Sequence, residues 1–118
     1  MIETINVKVI ILDCLIGRFG MPDFLKIDTE GSELNVLRGL NRAPHCLSFE
    51  FNAARTESTL ACIDRLHDST FNYIIGEPRG QAKLALPSFV NAASMAELAR
   101  TVLANCRTFG DIFVRSYL

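Results

Sequence analysis

The chain has no tryptophan, only two histidines and four cysteines, and no long apolar run. No stretch approaches the ~20 apolar residues that a membrane span needs. Val7 to Leu12 is apolar, but Lys8 interrupts it and Asp13 closes it, and Glu3 stands where a secretion signal would carry basic residues. The chain therefore reads as soluble and unprocessed. Cys14, Cys46, Cys62 and Cys106 are far apart and form no C-x-x-C pair. That argues against a zinc site and against a disulfide-dense secreted scaffold, and it favours free thiols in a reducing cytoplasm. His45 and His67 flank a proline and end a helix respectively, positions typical of the surface, so the histidine ligands of a metal-dependent hydrolase are lacking. Charge is also missing as a patterned feature. Twelve basic and thirteen acidic side chains give a net charge of -1 with no block of one sign. No nucleic acid or anionic membrane is indicated as a partner, and a small molecule or a protein is left open.

What is present is a core and an alternation. Of the 118 residues 49% are hydrophobic, enough for one domain spanning 1–118. Asn6 to Ile11 is predicted as a strand, Leu12 to Phe19 as a short helix, and Phe24 to Asp28 as a second strand covered on both faces. A turn at Thr29, Gly31 and Ser32 leads to a helix from about Ser32 to Leu40, with Ser32 able to cap it. Cys46 to Phe51 is a third strand, Ser58 to His67 a helix and Phe71 to Ile75 a fourth strand. Glu77 to Gln81 is a loop, Ser94-Met95-Ala96-Glu97 fits a capping box at a helix start, and Asp111 to Arg115 closes the sheet. Strands alternating with helices predict an α/β fold with a mainly parallel sheet and flanking helices.

The densest chemistry lies in Phe24-Leu25-Lys26-Ile27-Asp28-Thr29-Glu30-Gly31-Ser32-Glu33, which carries three carboxylates in six residues. Ligands of open α/β sheets bind beyond the carboxyl ends of strands, where Asp28 falls, and Glu50 falls at the end of the next strand. If those strands are neighbours, Asp28 and Glu50 face one crevice and crowding raises the pKa of one, which suits a general base. Lys26 shares a face with Asp28 and is expected to pair with it. Glu30, Lys26 and Glu33 are candidates for substrate binding, although a glutamate there also favours the positive end of a helix. Four oxygen ligands of this kind could hold magnesium or calcium, but spacing alone does not establish an ion and none is assigned.

Val7-Lys8-Val9, Leu12-Asp13, Lys26-Ile27-Asp28-Thr29-Glu30-Gly31-Ser32-Glu33 and Val36-Leu37-Arg38-Gly39 together resemble the FkbM methyltransferase family. Leu47-Ser48-Phe49-Glu50-Phe51 is similar to its next strand, and Gly110-Asp111-Ile112-Phe113-Val114-Arg115 to its last. The resemblance implies a Rossmann-like class I methyltransferase sheet and S-adenosylmethionine as cofactor. It further implies transfer of a methyl group to a hydroxyl of a small molecule or sugar, with Asp28 and Glu50 catalytic. Such enzymes hold the cofactor with a glycine-rich turn after their first strand and an acidic residue after the second, and neither precedes Asn6. The chain is thus expected to correspond to the carboxyl-terminal half of the domain, to bind the cofactor weakly and to be inactive alone. The strand from Phe24 would then be an open edge prone to self-association. The competing reading is a non-catalytic protein-interaction module derived from the same fold.

Overall fold

A computed structural model describes residues 11–29, 31–76, 83–105 and 109–116. The strand expected at Asn6 to Ile11 and the loop at Glu77 to Gln81 fall wholly or almost wholly outside these residues, as does Glu30. The elements run α1 (Leu12–Phe19), β1 (Phe24–Ile27), α2 (Glu33–Arg38), β2 (Cys46–Asn52), α3 (Thr56–Arg65), β3 (Thr70–Ile75), β4 (Val90–Asn91), α4 (Ala92–Thr101) and β5 (Phe109–Arg115). Short 3-10 turns at Ala53–Arg55 and Leu103–Asn105 precede α3 and follow α4.

The five strands form one sheet in the order β1-β2-β5-β3-β4. Only β1 and β2 pair in parallel, whereas β2 with β5, β5 with β3 and β3 with β4 are antiparallel. The α/β class is therefore as expected, but a mainly parallel sheet is not what forms. The reason lies between β3 and β5. The chain reverses twice there, down through β4 and back up α4, so β5 starts at the end of the sheet where β3 finished. It runs down between β2 and β3, which themselves point the same way.

Alternation along the strands divides the sheet into two faces. One carries Leu47, Phe49, Phe51, Phe71, Tyr73, Ile112 and Val114, all buried, and joins Leu37 of α2, Ile63 of α3 and Met95 of α4 in a single core. Each such phenylalanine contributes roughly 1.5–3 kcal/mol by leaving water. The other face mixes polar Lys26, Ser48, Glu50, Asn72 and Asp111 with Ile74 and Phe113. Asn72 is buried, and its carboxamide accepts from the Leu86 N–H and donates to the Leu86 carbonyl, both at 3.0 Å. That pair satisfies a buried amide and pins the segment before β4 to this face.

Two distant parts of the sequence pattern meet at α1. The Asp13 carboxylate accepts the Asn41 backbone N–H with both oxygens at 3.0 Å, and the Asp13 N–H donates to the Gly39 carbonyl at 2.9 Å. A Cβ on Gly39 would sit 3.2 Å from the Leu12 nitrogen, so the glycine admits the start of α1. Leu12-Asp13 and Val36-Leu37-Arg38-Gly39 are thus one contact.

Two helix starts differ from expectation. Ser32 precedes α2 but its hydroxyl makes no capping bond. At α4 the cap is Asn91, whose Oδ1 accepts the Ser94 N–H at 2.9 Å, so the helix begins at Ala92 and the Ser94–Glu97 box lies inside it. Asparagine outranks most residues as a cap because its short carbonyl reaches the exposed amides of the first turn.

Candidate functional site

The parallel pair β1 and β2 is in register Lys26 to Ser48 and Ile27 to Phe49, so the next level brings the end of β1 to Glu50. Across the other side of β2, Glu50 stands opposite Asp111 of β5. Asp28, Glu50 and Asp111 thus form a row of carboxylates at the carboxyl ends of the parallel strands, the place where open α/β sheets take ligands.

The row is electrostatically coupled. A hydrogen bond between the Asp28 and Glu50 carboxyl groups is the largest influence on Glu50, followed by burial and then by the negative charges of Asp28, Glu33 and Asp111. Together they push its pKa up to about 7. Two carboxyl oxygens can hydrogen bond only if one carries a proton, so the pair holds a proton at neutral pH that isolated carboxylates would have lost. Asp111 is also raised, chiefly by burial, with Lys26 opposing and Asp28 reinforcing the shift.

Glu33 plays a different part. Its side chain is buried, and its two carboxylate oxygens accept the Gly31 N–H at 3.2 and 3.0 Å. Gly31 has φ +118°, which an L side chain rarely adopts, and a Cβ there would lie 2.6 Å from Nη1 of Arg55. The Arg55 guanidinium therefore lies across the turn. It is brought there by the 3-10 turn after β2, which Asn52 caps by accepting the Ala54 N–H at 2.9 Å. Glu33, Glu50, Asn52, Arg55, Ser58 and Cys62 line a narrow cleft of about 10 Å³. A wider recess of about 360 Å³, lined by Arg65, Ser69 and Ser116 among others, opens at the opposite end of the sheet.

Asp28 and Glu50 are therefore brought together, and Glu33 joins them beneath the turn. Lys26 is not placed as expected. Strand β1 lies at the edge of the described sheet rather than between neighbours, Lys26 is exposed, and the ion pairs among the described residues do not include it. Its charge instead acts on Asp111. Sequence reasoning missed Asp111 and Arg55 as site residues. Arg55 lies in the segment between a predicted strand and helix, and nothing in its spacing signals the turn that carries it to Gly31. Among the described residues no group of three histidine, cysteine or acidic side chains is placed to hold a metal ion.

A strand-turn-helix unit with acidic residues near the carboxyl ends of two parallel strands is an arrangement that α/β proteins share at their ligand-binding edge. The chain matches the methyltransferase FkbM domain over residues 2–74, more than half its length, and it belongs to that family. No curated protein matches it significantly.

The cofactor that the family implies can be tested against the described residues. Of the glycine turns that follow strands among the described residues, the one after β1 has its Gly31 amide occupied by Glu33 and its open side covered by Arg55, and the one after β3 donates its Gly76 amide to the Phe109 carbonyl at 2.7 Å. The adjoining cleft has room for only about 10 Å³, far below the roughly 300–1,000 Å³ of ordinary ligand pockets, and its lining mixes Glu33, Glu50 and Arg55 with Phe51 and Cys62. These residues do not fit a nucleoside and a methionine tail.

Proposed function

We propose that the chain carries the acceptor side of an S-adenosylmethionine-dependent methyltransferase, acting on a hydroxyl oxygen of a small molecule or sugar. One observation carries this reading: Glu50, hydrogen bonded to Asp28 at the ends of two parallel strands, has its pKa pushed up to about 7. A hydroxyl becomes a better nucleophile as its proton is withdrawn. A carboxylate whose pKa lies near working pH accepts that proton more readily than one at an ordinary value. Glu50 is the proposed base and Asp28 the residue that raises it, with Asp111 adding charge from the other side. Arg55 and Ser58 at the cleft wall supply donors for acceptor hydroxyls. The free cysteines Cys14, Cys46 and Cys62 support a reducing, cytoplasmic setting. No helix among the described residues is long and apolar enough to cross a membrane.

The test is transfer of labelled methyl from S-adenosylmethionine to a panel of hydroxylated small molecules. It uses the chain alone and the chain joined to the cofactor-binding part of an active family member. Label transfer that falls about 10²–10⁴-fold in Glu50→Gln is the expected result, the usual contribution of general base catalysis. Full transfer in both Glu50→Gln and Asp28→Asn would exclude this pair from the chemistry.

A further inference from the structure

Asp28 is exposed, yet its carboxyl group is held against Glu50. An exposed aspartate at the end of an edge strand would ordinarily turn outward into water. Its backbone must therefore be fixed on both sides. On one side it follows directly from β1, whose register with β2 is set by the parallel ladder. On the other side stand the turn through Gly31 and the start of α2.

Among the described residues, that second anchor is built around the Gly31 amide. Glu33 opens α2, and Leu37 one turn later is buried in the core, so the helix is a fixed body. From it the buried Glu33 carboxylate reaches back two residues and takes the Gly31 N–H with both oxygens. Gly31 reaches its φ of +118° without side-chain strain, and the Arg55 guanidinium closes the outer side of the turn. The turn is gripped from within by a charged acceptor and covered from without by a cation.

We infer that Glu33 is a positioning residue: by holding the Gly31 amide it fixes the turn after β1 and so keeps the Asp28 carboxyl group against Glu50. The sequence placed Glu33 among substrate-binding candidates, and its burial beneath the turn assigns it instead to the frame of the site. This rests on the reading of Asp28 and Glu50 as the acid-base pair. It is testable without turnover, so failure of the methyl-transfer assay and failure of the inference can be told apart.

The competing explanation is that Glu33 acts on Glu50 only through its charge. The charged groups around Glu50 are Asp28 and Lys26 from β1, Glu33 from α2, Asp111 from β5 and Arg55 from the turn before α3, with the Cys62 thiol of α3 beside Glu33. Glu33→Gln removes the charge and keeps an oxygen that accepts the Gly31 N–H. Glu33→Met removes both at similar volume.

The experiment is a carbon-13 NMR titration of the Glu50 carboxyl carbon in the full chain, with hydrogen exchange at the Gly31 amide measured alongside. In the parent the Glu50 midpoint should lie near 7, in Glu33→Gln it should fall only by the minor contribution of the Glu33 charge, and in both the Gly31 amide should stay protected. In Glu33→Met, the midpoint should fall towards 4.5, the ordinary glutamate value, as the Asp28 bond is lost. Equal falls in Glu33→Gln and Glu33→Met, or no fall in either, would overturn the inference. If Glu33→Met does not fold, Glu33→Gln decides alone: a midpoint close to the parent's with a protected Gly31 amide upholds the inference, and loss of both defeats it.

Discussion

Glu50 and Asp111 stand directly opposite each other on the antiparallel strands β2 and β5, two acids where a sheet normally places a neutral or oppositely charged pair. Like charges across a ladder destabilise the fold, and the proton held by Glu50 offsets this.

The consequence for stability has a definite sign. The folded-state pKa of Glu50, about 7, lies above the ordinary value of 4.5 that an unfolded chain shows. Its contribution is therefore fully present below about pH 4.5 and is lost as pH rises through about 7, because the folded state must then give up a proton it holds tightly. Asp111 is raised as well and acts in the same direction. Thermal melts from acid to neutral pH should show Glu50→Gln losing less stability than the parent over this interval. Asp111→Asn should lower the Glu50 midpoint. Parallel melting curves for parent and Glu50→Gln would contradict the coupling.

A second expectation concerns α1. It has no fully buried residue, and Leu12 and Ile16 only rest against the core. Among the described residues it is tied to the chain after α2 by the Asp13 carboxylate on the Asn41 amide and by the Asp13 N–H on the Gly39 carbonyl. Because the carboxylate bond is exposed, Asp13→Ala should cost about 1 kcal/mol, at the lower end for hydrogen bonds to charged groups. Hydrogen exchange at the Asn41 amide should accelerate while exchange in β2 and β5 does not. Unchanged protection at Asn41 would show that α1 is held by other means.

How much of this was legible in the sequence follows from which interactions are local. Leu12–Phe19 was readable as a helix because its apolar spacing is local, and Cys46–Asn52 as a strand because Leu47, Phe49 and Phe51 alternate. The meeting of Asp28 and Glu50 was readable because both end strands that are sequential and parallel. Asp111 was not. In a sheet of parallel strands the beginning of the last strand lies at the far end from Glu50, and only the double reversal through β4 and α4 brings it alongside. The two-residue strand β4 carries too little pattern to announce that reversal. Lys26 misled for a related reason: an apolar run suggests a strand between neighbours, but Phe24-Leu25-Lys26-Ile27 forms the edge of the described sheet.

That edge gives a third expectation. Phe24 and Phe19 are 48% and 76% exposed, and Ile11, Leu15 and Met21 are exposed beside them in the sequence. An apolar strand whose outer edge no strand among the described residues pairs invites pairing with another chain, and Lys26 is the only charge within β1 that opposes it. We propose self-association through β1 and α1. Sedimentation velocity should find dimers or larger species, and Phe24→Lys should shift them to monomer. A monodisperse parent monomer would rule the proposal out.

The cleft floor gives the last. Cys62 is buried in α3, and burial, reinforced by the negative charge of Glu33, pushes its thiol up to about 12. The thiolate is the reactive form, so Cys62 should be inert at neutral pH, whereas Cys14 is exposed on α1. With Cys46 and Cys106 changed to serine, a thiol reagent at about pH 8 should titrate one group rapidly in the folded chain and two after unfolding. The slow group should map to Cys62 by peptide mass. In Glu33→Met the neighbouring charge is gone, yet burial remains the larger influence, so Cys62 should stay slow while the turn above it loosens. Rapid labelling of Cys62 in the parent would mean that α3 does not close over Glu33, and the buried anchor of the Gly31 turn would go with it.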